Sequence, residues 1–389
     1  MAGGRIVGLG GGRPPATPDE LGDVAVVPGL VNAHTHLELG WLAGRVRPAA
    51  SMVLWIRALL AERTRGPAPG DAMAAHALAR SVEDLRATGT VLVGDVTNAL
   101  VTPAVLAACG LGGVVFHELL GFNAPDPVDL VRQAWERTDQ AMTGAAPEPG
   151  NPSLASSISA HAPYSVSPAL FLAIAAARRA TPLAVHLGES AEEVEFLQTG
   201  RGPFRQLLED LHVWSAGWQP PQCDPVEYLR RVGYLGPGCL VVHAVHLAAD
   251  ALARLRVAGA VVVTCPRSNA WVGAGVPPIS GFYRAGLRVA VGTDSLASVD
   301  SLNMFDELAE VRRVAPDVAP ARLLESATKT GAEALGFGGE FGTLAPGKRA
   351  ALVAVEVPAG VSDVEEYLVS GVPRDRVRLV GGTPSPRAR

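Results

Sequence analysis

Short apolar runs that end in polar residues alternate along the chain with longer Ala/Leu/Arg segments of helical spacing. The runs are Val26–His36, Thr90–Val96, Gly113–Glu118, Leu154–His161, Leu183–His186, Leu240–His243, Ala260–Cys265 and Arg288–Asp294, eight in all. Between them lie amphipathic stretches such as Asp71–Gly89 and Ser167–Ala180, the second opened by the helix-start pair Ser167–Pro168. Near-continuous apolar runs mark strands buried on both faces, and their alternation with helices marks parallel pairing through crossovers. Eight such units predict an α/β chain folded as a (β/α)8 TIM-like barrel. An open doubly wound sheet is the alternative, but no glycine-rich phosphate loop follows the first run.

The two ends break the pattern. Residues 1–27 are rich in glycine and proline around a short apolar run, and Phe341–Val355 reads as a turn followed by a strand. We expect 1–29 and 341–389 to form a small β-domain outside a barrel of 30–340. Segment 198–236 is a long insertion between the fifth and sixth strands, carrying Trp214, Trp218 and Cys223. A connection of that length points to a functional or mobile element.

Composition narrows the function classes. With 48% hydrophobic and 18% charged residues, a large buried core is expected and disorder is not. A formal net charge of −5 argues against a nucleic-acid surface. The uncharged stretch Val96–Phe116 is interrupted by Pro103, Gly110, Gly112 and Gly113, so it reads as loop, helix and strand and no membrane is implied. The N-terminal residues lack the apolar stretch of a secretory signal, and four scattered cysteines form no CxxC pair. A cytoplasmic protein with reduced thiols is the expectation. The partner is then a small-molecule substrate; a homo-oligomer is compatible with the pattern.

Polar residues at the ends of the runs carry the chemistry. His34, His36, His161, His186, His243 and Asp294 all fall at or just past the carboxyl end of a strand, the face that bears the active site in such barrels. His34 and His36 are two apart, so both imidazoles face the barrel interior. With His186 and Asp294 they make three imidazoles and a carboxylate, a donor set for zinc or another first-row metal. Glu189, three residues after His186, is placed to shuttle a proton from the bound water. His243 is placed as a second proton acceptor, whereas His246 falls on the other parity and reads as structural. Glu192, Glu193 and Glu195 read as charges on a solvated helix face, and His117 as a hydrogen-bonded core histidine.

These motifs resemble the amidohydrolase superfamily, in its cytosine/guanine/adenosylhomocysteine deaminase-like branch. The resemblance rests on PGLVNAHTHLE (Pro28–Glu38), HAPYSVS (His161–Ser167), HLGES (His186–Ser190), HAVHL (His243–Leu247), TCPRSN (Thr264–Asn269), GTDS (Gly292–Ser295) and GTLAPGKRA (Gly342–Ala350). It implies that His34, His36, His186 and Asp294 bind one divalent metal ion, zinc or alternatively ferrous iron. It also implies that Glu189, His243 and Asp294 are catalytic. His161 looks like a substrate contact by this likeness, and Cys265, Ser268 and Asn269 like parts of the substrate wall. Two-metal members bridge their ions with a carboxylated lysine on the fourth strand. Here the only lysines, Lys329 and Lys348, lie after the eighth, which implies one metal.

Within the branch, NAHTHLELG and the compact N-terminus look most like the aminodeoxyfutalosine deaminase group, which removes the 6-amino group of a purine nucleoside bearing a benzoate extension. Glu38 would then reach the substrate or orient His36. The tryptophans of the insertion would cover the extension, and an arginine such as Arg201 would meet its carboxylate. Deamination of adenosylhomocysteine, methylthioadenosine, guanine or cytosine, or a chlorohydrolase reaction, would use the same metal ligands. A non-catalytic metal-binding barrel is the reading from another class.

Overall fold

The computed structural model describes residues 1, 3–10, 19–146 and 150–381. Residues 2, 11–18 and 382–389, assigned above to the small β-domain, lie outside the described residues. The first apolar run divides in two. β1 (Val24–Pro28) and β2 (Leu30–Thr35) belong to different sheets, and Gly29 is the crossing point. Its N–H donates to the Ala351 carbonyl at 2.9 Å, while the next N–H, of Leu30, donates to the Gly89 carbonyl at 2.9 Å. A Cβ at Gly29 would stand 2.5 Å from the Val91 methyl groups, so a side chain there would block the passage.

The remaining strands are β3 (Thr90–Thr97), β4 (Gly112–Leu119), β5 (Leu154–Ala160), β6 (Leu183–Leu187), β7 (Cys239–His243), β8 (Val261–Thr264), β9 (Arg288–Val291), β10 (Leu352–Glu356) and β11 (Val377–Val380). β1, β10 and β11 form an antiparallel sheet in the order β1-β10-β11. The eight strands β2 to β9 are parallel to their neighbours in two four-stranded arcs, β2-β3-β4-β5 and β6-β7-β8-β9. With the intervening helices on their outer side they make the (β/α)8 architecture. Leu92, Val114, Phe116, Val242 and Val263 fill its interior, all buried.

The arcs meet at two seams. Between β9 and β2, Thr35 and Asp294 form a parallel bridge, and the Asp294 N–H donates to the His34 carbonyl at 3.1 Å. Asn32 and Thr293 reinforce it through Asn32 Nδ2 to Thr293 Oγ1 (2.7 Å) and Thr293 N to Asn32 Oδ1 (3.1 Å). Between β5 and β6, the His186 N–H donates to the His161 carbonyl at 2.9 Å. The buried Tyr234 hydroxyl spans the same seam, accepting from Ala160 N at 3.0 Å and donating to the Ala184 carbonyl at 2.9 Å.

The 198–236 segment is largely structured. It contains helices Pro203–Asp210 and Pro225–Arg231, each begun by proline, which fits the first helical turn where no N–H is needed. Phe204, Leu207 and Leu208 of the first helix are buried. Trp218 stacks on Phe196 with ring centroids 4.6 Å apart, and Trp214 stacks on Phe122 at 5.6 Å. The tryptophans therefore anchor the insertion to the barrel. Among the described residues no helix is long and apolar enough to cross a membrane.

Tyr234→Phe leaves a buried N–H and a buried carbonyl unpaired across the seam. We expect a loss of roughly 1–3 kcal/mol of stability with unchanged secondary structure, read from urea unfolding midpoints. An unaltered midpoint would show that the seam does not depend on this hydroxyl.

Candidate metal centre

The strand ends bring the donors together. His34 sits on β2, with its side chain 1% exposed, and His36 follows the strand by one residue. His186 comes from β6, His243 ends β7, and Asp294 lies three residues beyond β9. The ring centroid of His34 is 4.9 Å from those of both His36 and His186, and 5.8 Å from that of His243. Asp294 Oδ1 lies 3.6 Å from His36 Nε2 and 3.9 Å from His34 Nε2. His34, His36 and Asp294 offer donor atoms all within 4.8 Å of one another, as do His34, His186 and His243.

Backbone conformation is spent to achieve this. Asp294 (φ 61°), His243 (φ 74°) and Ala244 (φ 53°) are left-handed. Such φ values are uncommon for residues with a Cβ and persist where surrounding contacts enforce them. For Asp294 the enforcing contact is its N–H bond to His34.

Burial sets the protonation states. It holds His34 and His243 well below the ordinary imidazole range, helped by the neighbouring imidazoles, and brings His36 and His186 down to about 4. All four rings are neutral at pH 7 and present lone pairs. His34 Nε2 and His243 Nε2 are buried and have no hydrogen-bond partner, a costly arrangement for apolar surroundings. Neutral imidazoles and one carboxylate in two triads that share His34 fit a divalent first-row cation.

The orienting contacts also fit. His186 Nδ1 lies 3.0 Å from the His161 carbonyl; donating there, it turns the Nε2 lone pair inward. Glu118 Oε1 stands 3.6 Å from that same Nδ1. Asp294 Oδ2 accepts from Ser268 Oγ at 2.6 Å and from Ser298 Oγ at 3.2 Å. The Asn269 amide lies 2.9 Å from His243 Nδ1 and fixes that ring. Ser268 and Asn269, expected in the substrate wall, are wholly buried and instead hold Asp294 and His243 from behind.

Glu189 faces His243, with Oε1 3.4 Å from Nε2. Burial, then the charges of Asp294 and Glu193, raise its pKa well above the ordinary carboxylate value, which favours the protonated form. Glu193 corrects the expectation of a solvated charge. It is fully buried, its two oxygens accept the N–H groups of Gly188 (2.9 Å) and Glu189 (3.0 Å), and burial lifts its pKa to about 7. These bonds shape the turn that presents Glu189.

A cavity of about 200 Å³ opens onto this cluster. His36, Glu118, His161, His186, Glu189 and Asp294 line its polar end, and Trp55, Leu59, Phe204, Leu207 and Leu211 its apolar wall. His161 is in that lining, its Nδ1 2.6 Å from Ser165 Oγ. His246 bonds the Ala274 carbonyl through Nε2 at 2.6 Å, and His117 Nδ1 meets Thr138 Oγ1 at 2.8 Å; neither lines the cavity.

Two expectations are corrected. Glu38 reaches neither His36 nor the cavity of the cluster, because its oxygens accept from Thr97 Oγ1 (2.5 Å), Asn98 N (3.0 Å) and Ala99 N (3.0 Å) and hold the turn after β3. Arg201 sits beside Trp214 and Trp218 at a separate surface cavity, and the arginine at the mouth of this one is Arg63. Glu118 was overlooked as a site residue although it closes the third run at the same height as the histidines. Strand-end placement alone would have found it.

Comparison with known proteins gives a consistent picture. The amidohydrolase family model matches residues 25–375. An aminodeoxyfutalosine deaminase of Deinococcus radiodurans is 34% identical over 331 residues, covering 83% of this chain and 76% of that protein. A 5-methylthioadenosine/S-adenosylhomocysteine deaminase of Nitratidesulfovibrio vulgaris is 32% identical, covering 89% of this chain and 74% of its own length. Among solved structures, an adenosine deaminase of Xanthomonas campestris with bound zinc superposes with a TM-score of 0.75 at 25% identity, over 92% of this chain and 79% of that one.

Ser268→Ala removes the shorter hydrogen bond to Asp294 without touching a donor atom. Metal affinity should fall by roughly 10- to 100-fold, measured by competition with a chromophoric chelator. Unchanged affinity would mean that the Ser268 hydrogen bond is not what positions Asp294.

Proposed function

Because the chain belongs to the amidohydrolase family, we propose that it hydrolyses the exocyclic carbon–nitrogen bond of a purine nucleoside at one divalent ion, with aminodeoxyfutalosine as substrate. Membership carries the reaction class, a metal-dependent hydrolase acting on C–N bonds. The observation that carries the finer reading is the Glu189–His243 pair, 3.4 Å apart beside the cluster of donors. Hydrolysis of an amino-heterocycle needs a proton taken from water and another given to the ring, and this pair holds one acceptor and one donor side by side.

His34, His36, His186 and Asp294 are the residues that would hold the ion, for which zinc is the first choice. A divalent ion so held would lower the pKa of a bound water from about 16 towards about 7 and so make its proton easy to remove at neutral pH. His243 Nε2, with the Asp294 carboxylate, takes the proton as the water oxygen bonds to the ring carbon bearing the amine. The Glu189 carboxyl gives its proton to the adjacent ring nitrogen, which ends the aromaticity at that carbon. The proton taken up by His243 then passes to the exocyclic nitrogen, the C–N bond breaks and ammonia leaves, and the hydroxyl proton goes to the Glu189 carboxylate as the ring carbon keeps the oxygen as a carbonyl.

Similarity to the Deinococcus radiodurans enzyme supports aminodeoxyfutalosine, and with it a place in menaquinone biosynthesis. Deamination of methylthioadenosine or adenosylhomocysteine is the second reading, favoured by the Nitratidesulfovibrio vulgaris relative. It requires the same ligands and the same proton pair.

Glu189→Gln should retain the metal while ammonia release falls by roughly 100- to 10,000-fold. The check is metal content and ammonia release together, over aminodeoxyfutalosine, methylthioadenosine, adenosylhomocysteine, adenosine, guanine and cytosine. Near-normal turnover would remove Glu189 from the mechanism. Preference for a free base would sink the nucleoside assignment.

A further inference from the structure

β8 lies between β7 and β9 in its arc, so the turn that leaves it stands between His243, at the end of β7, and Asp294, beyond β9. That turn opens the short helix Pro266–Trp271. Two successive residues of the helix reach opposite neighbours. Ser268 Oγ donates to Asp294 Oδ2 at 2.6 Å, and the Asn269 amide lies 2.9 Å from His243 Nδ1. A metal ligand and the proposed proton acceptor therefore take their orientation from one turn of backbone. Whatever fixes this turn fixes both.

The turn does little to hold itself. N–H groups in the first turn of a helix have no partner within it. Pro266 carries none, and Cys265, which precedes the helix, makes no capping bond through its side chain. The Arg267 N–H is met instead by Glu307 of helix Met304–Val314, whose Oε1 accepts it at 3.1 Å. Glu307 is wholly buried and does not line the cavity of the metal centre. Burying a carboxyl is costly, and here it raises the pKa to about 8. An ion pair does not account for the placement. Oε2 stands 3.7 Å from Arg267 Nη1 and has no hydrogen bond, while the guanidinium is directed to the Ser301 carbonyl at 3.0 Å and to the exposed Asp300. The shorter contact of Glu307 is with the backbone, one residue before Ser268 and two before Asn269.

We infer that Glu307 is a positioning residue of the metal centre: by accepting the Arg267 N–H it holds the turn after β8 where Ser268 can fix Asp294 and Asn269 can fix His243. This rests on the ligand set proposed above and extends it to a residue on a different helix.

The test measures zinc affinity by chelator competition for the full chain and for variants confirmed as folded by circular dichroism. Glu307→Gln keeps an oxygen at the same reach and removes the charge. Glu307→Asp keeps the charge and draws the oxygen back by one carbon. Because the place of the oxygen is what counts, Glu307→Gln should bind zinc nearly as wild type does. Glu307→Asp should bind it about 10-fold more weakly, the low end for a residue acting from behind a metal ligand. In a Ser268→Ala background the same Glu307→Asp change should cost little more, since the path to Asp294 is already cut. Should Glu307→Asp not fold, Glu307→Met, of like length and without an oxygen, takes its place with the same expectations.

Wild-type affinity in Glu307→Asp, a Glu307→Gln variant weakened to the same degree, or a full further loss in the Ser268→Ala background overturns the inference. These outcomes leave the ligand set standing, because wild type still binds zinc. A wild type that binds no zinc removes the ligand set, and the inference with it.

Discussion

The hydrogen bonds from the Asp294 N–H to the His34 carbonyl and from the His186 N–H to the His161 carbonyl join the two four-stranded arcs. The same residues, or their neighbours, present the side chains of the candidate metal centre. Closure and site assembly are thus one event. If the seam between β9 and β2 opened, Asp294 would leave His34 and His36 at the moment its backbone left β2. A site built this way is held to the tolerance of backbone hydrogen bonding, tighter than loops alone provide. The left-handed conformation of Asp294 is the local strain this closure enforces.

Burial then does the electrostatic work. Four imidazoles packed within 6 Å of His34 or of one another could not all be charged, and desolvation keeps them neutral. The same desolvation raises the carboxyls of Glu189 and Glu193. One environment therefore keeps the imidazole lone pairs free and shifts the two carboxyls towards their protonated forms. Glu193 links the two by holding the Gly188 and Glu189 amides, so that the turn leaving β6 cannot relax away from the cavity.

Much of this was legible in the residues. Period and run length gave the alternating strands and helices, because strands buried on both faces cannot afford polar positions except at their ends. The polar residues found there, His34, His36, His186, His243 and Asp294, are the ones the structure gathers. The misread residues depend on contacts far away in sequence. Glu193 follows Glu192 in what reads as a solvated helix face, and only the fold turns it onto the preceding loop. Glu38 shares the parity of the two histidines, yet the chain turns into a 3-10 helix (Leu37–Leu42) directly after His36 and carries Glu38 to the β3 turn. The tryptophans of the insertion looked like a cover for substrate but pack on Phe122 and Phe196, leaving the apolar wall to Phe204, Leu207 and Leu211.

The central claim is that residues on three different strands or their ends, brought together by closure of the barrel, bind a single ion. Anomalous diffraction at the zinc edge from crystals of the zinc-loaded protein tests it most directly. The account predicts one peak per chain, within bonding distance of His34, His36, His186 and Asp294. Two peaks per chain, or one peak lying away from these four side chains, would contradict it.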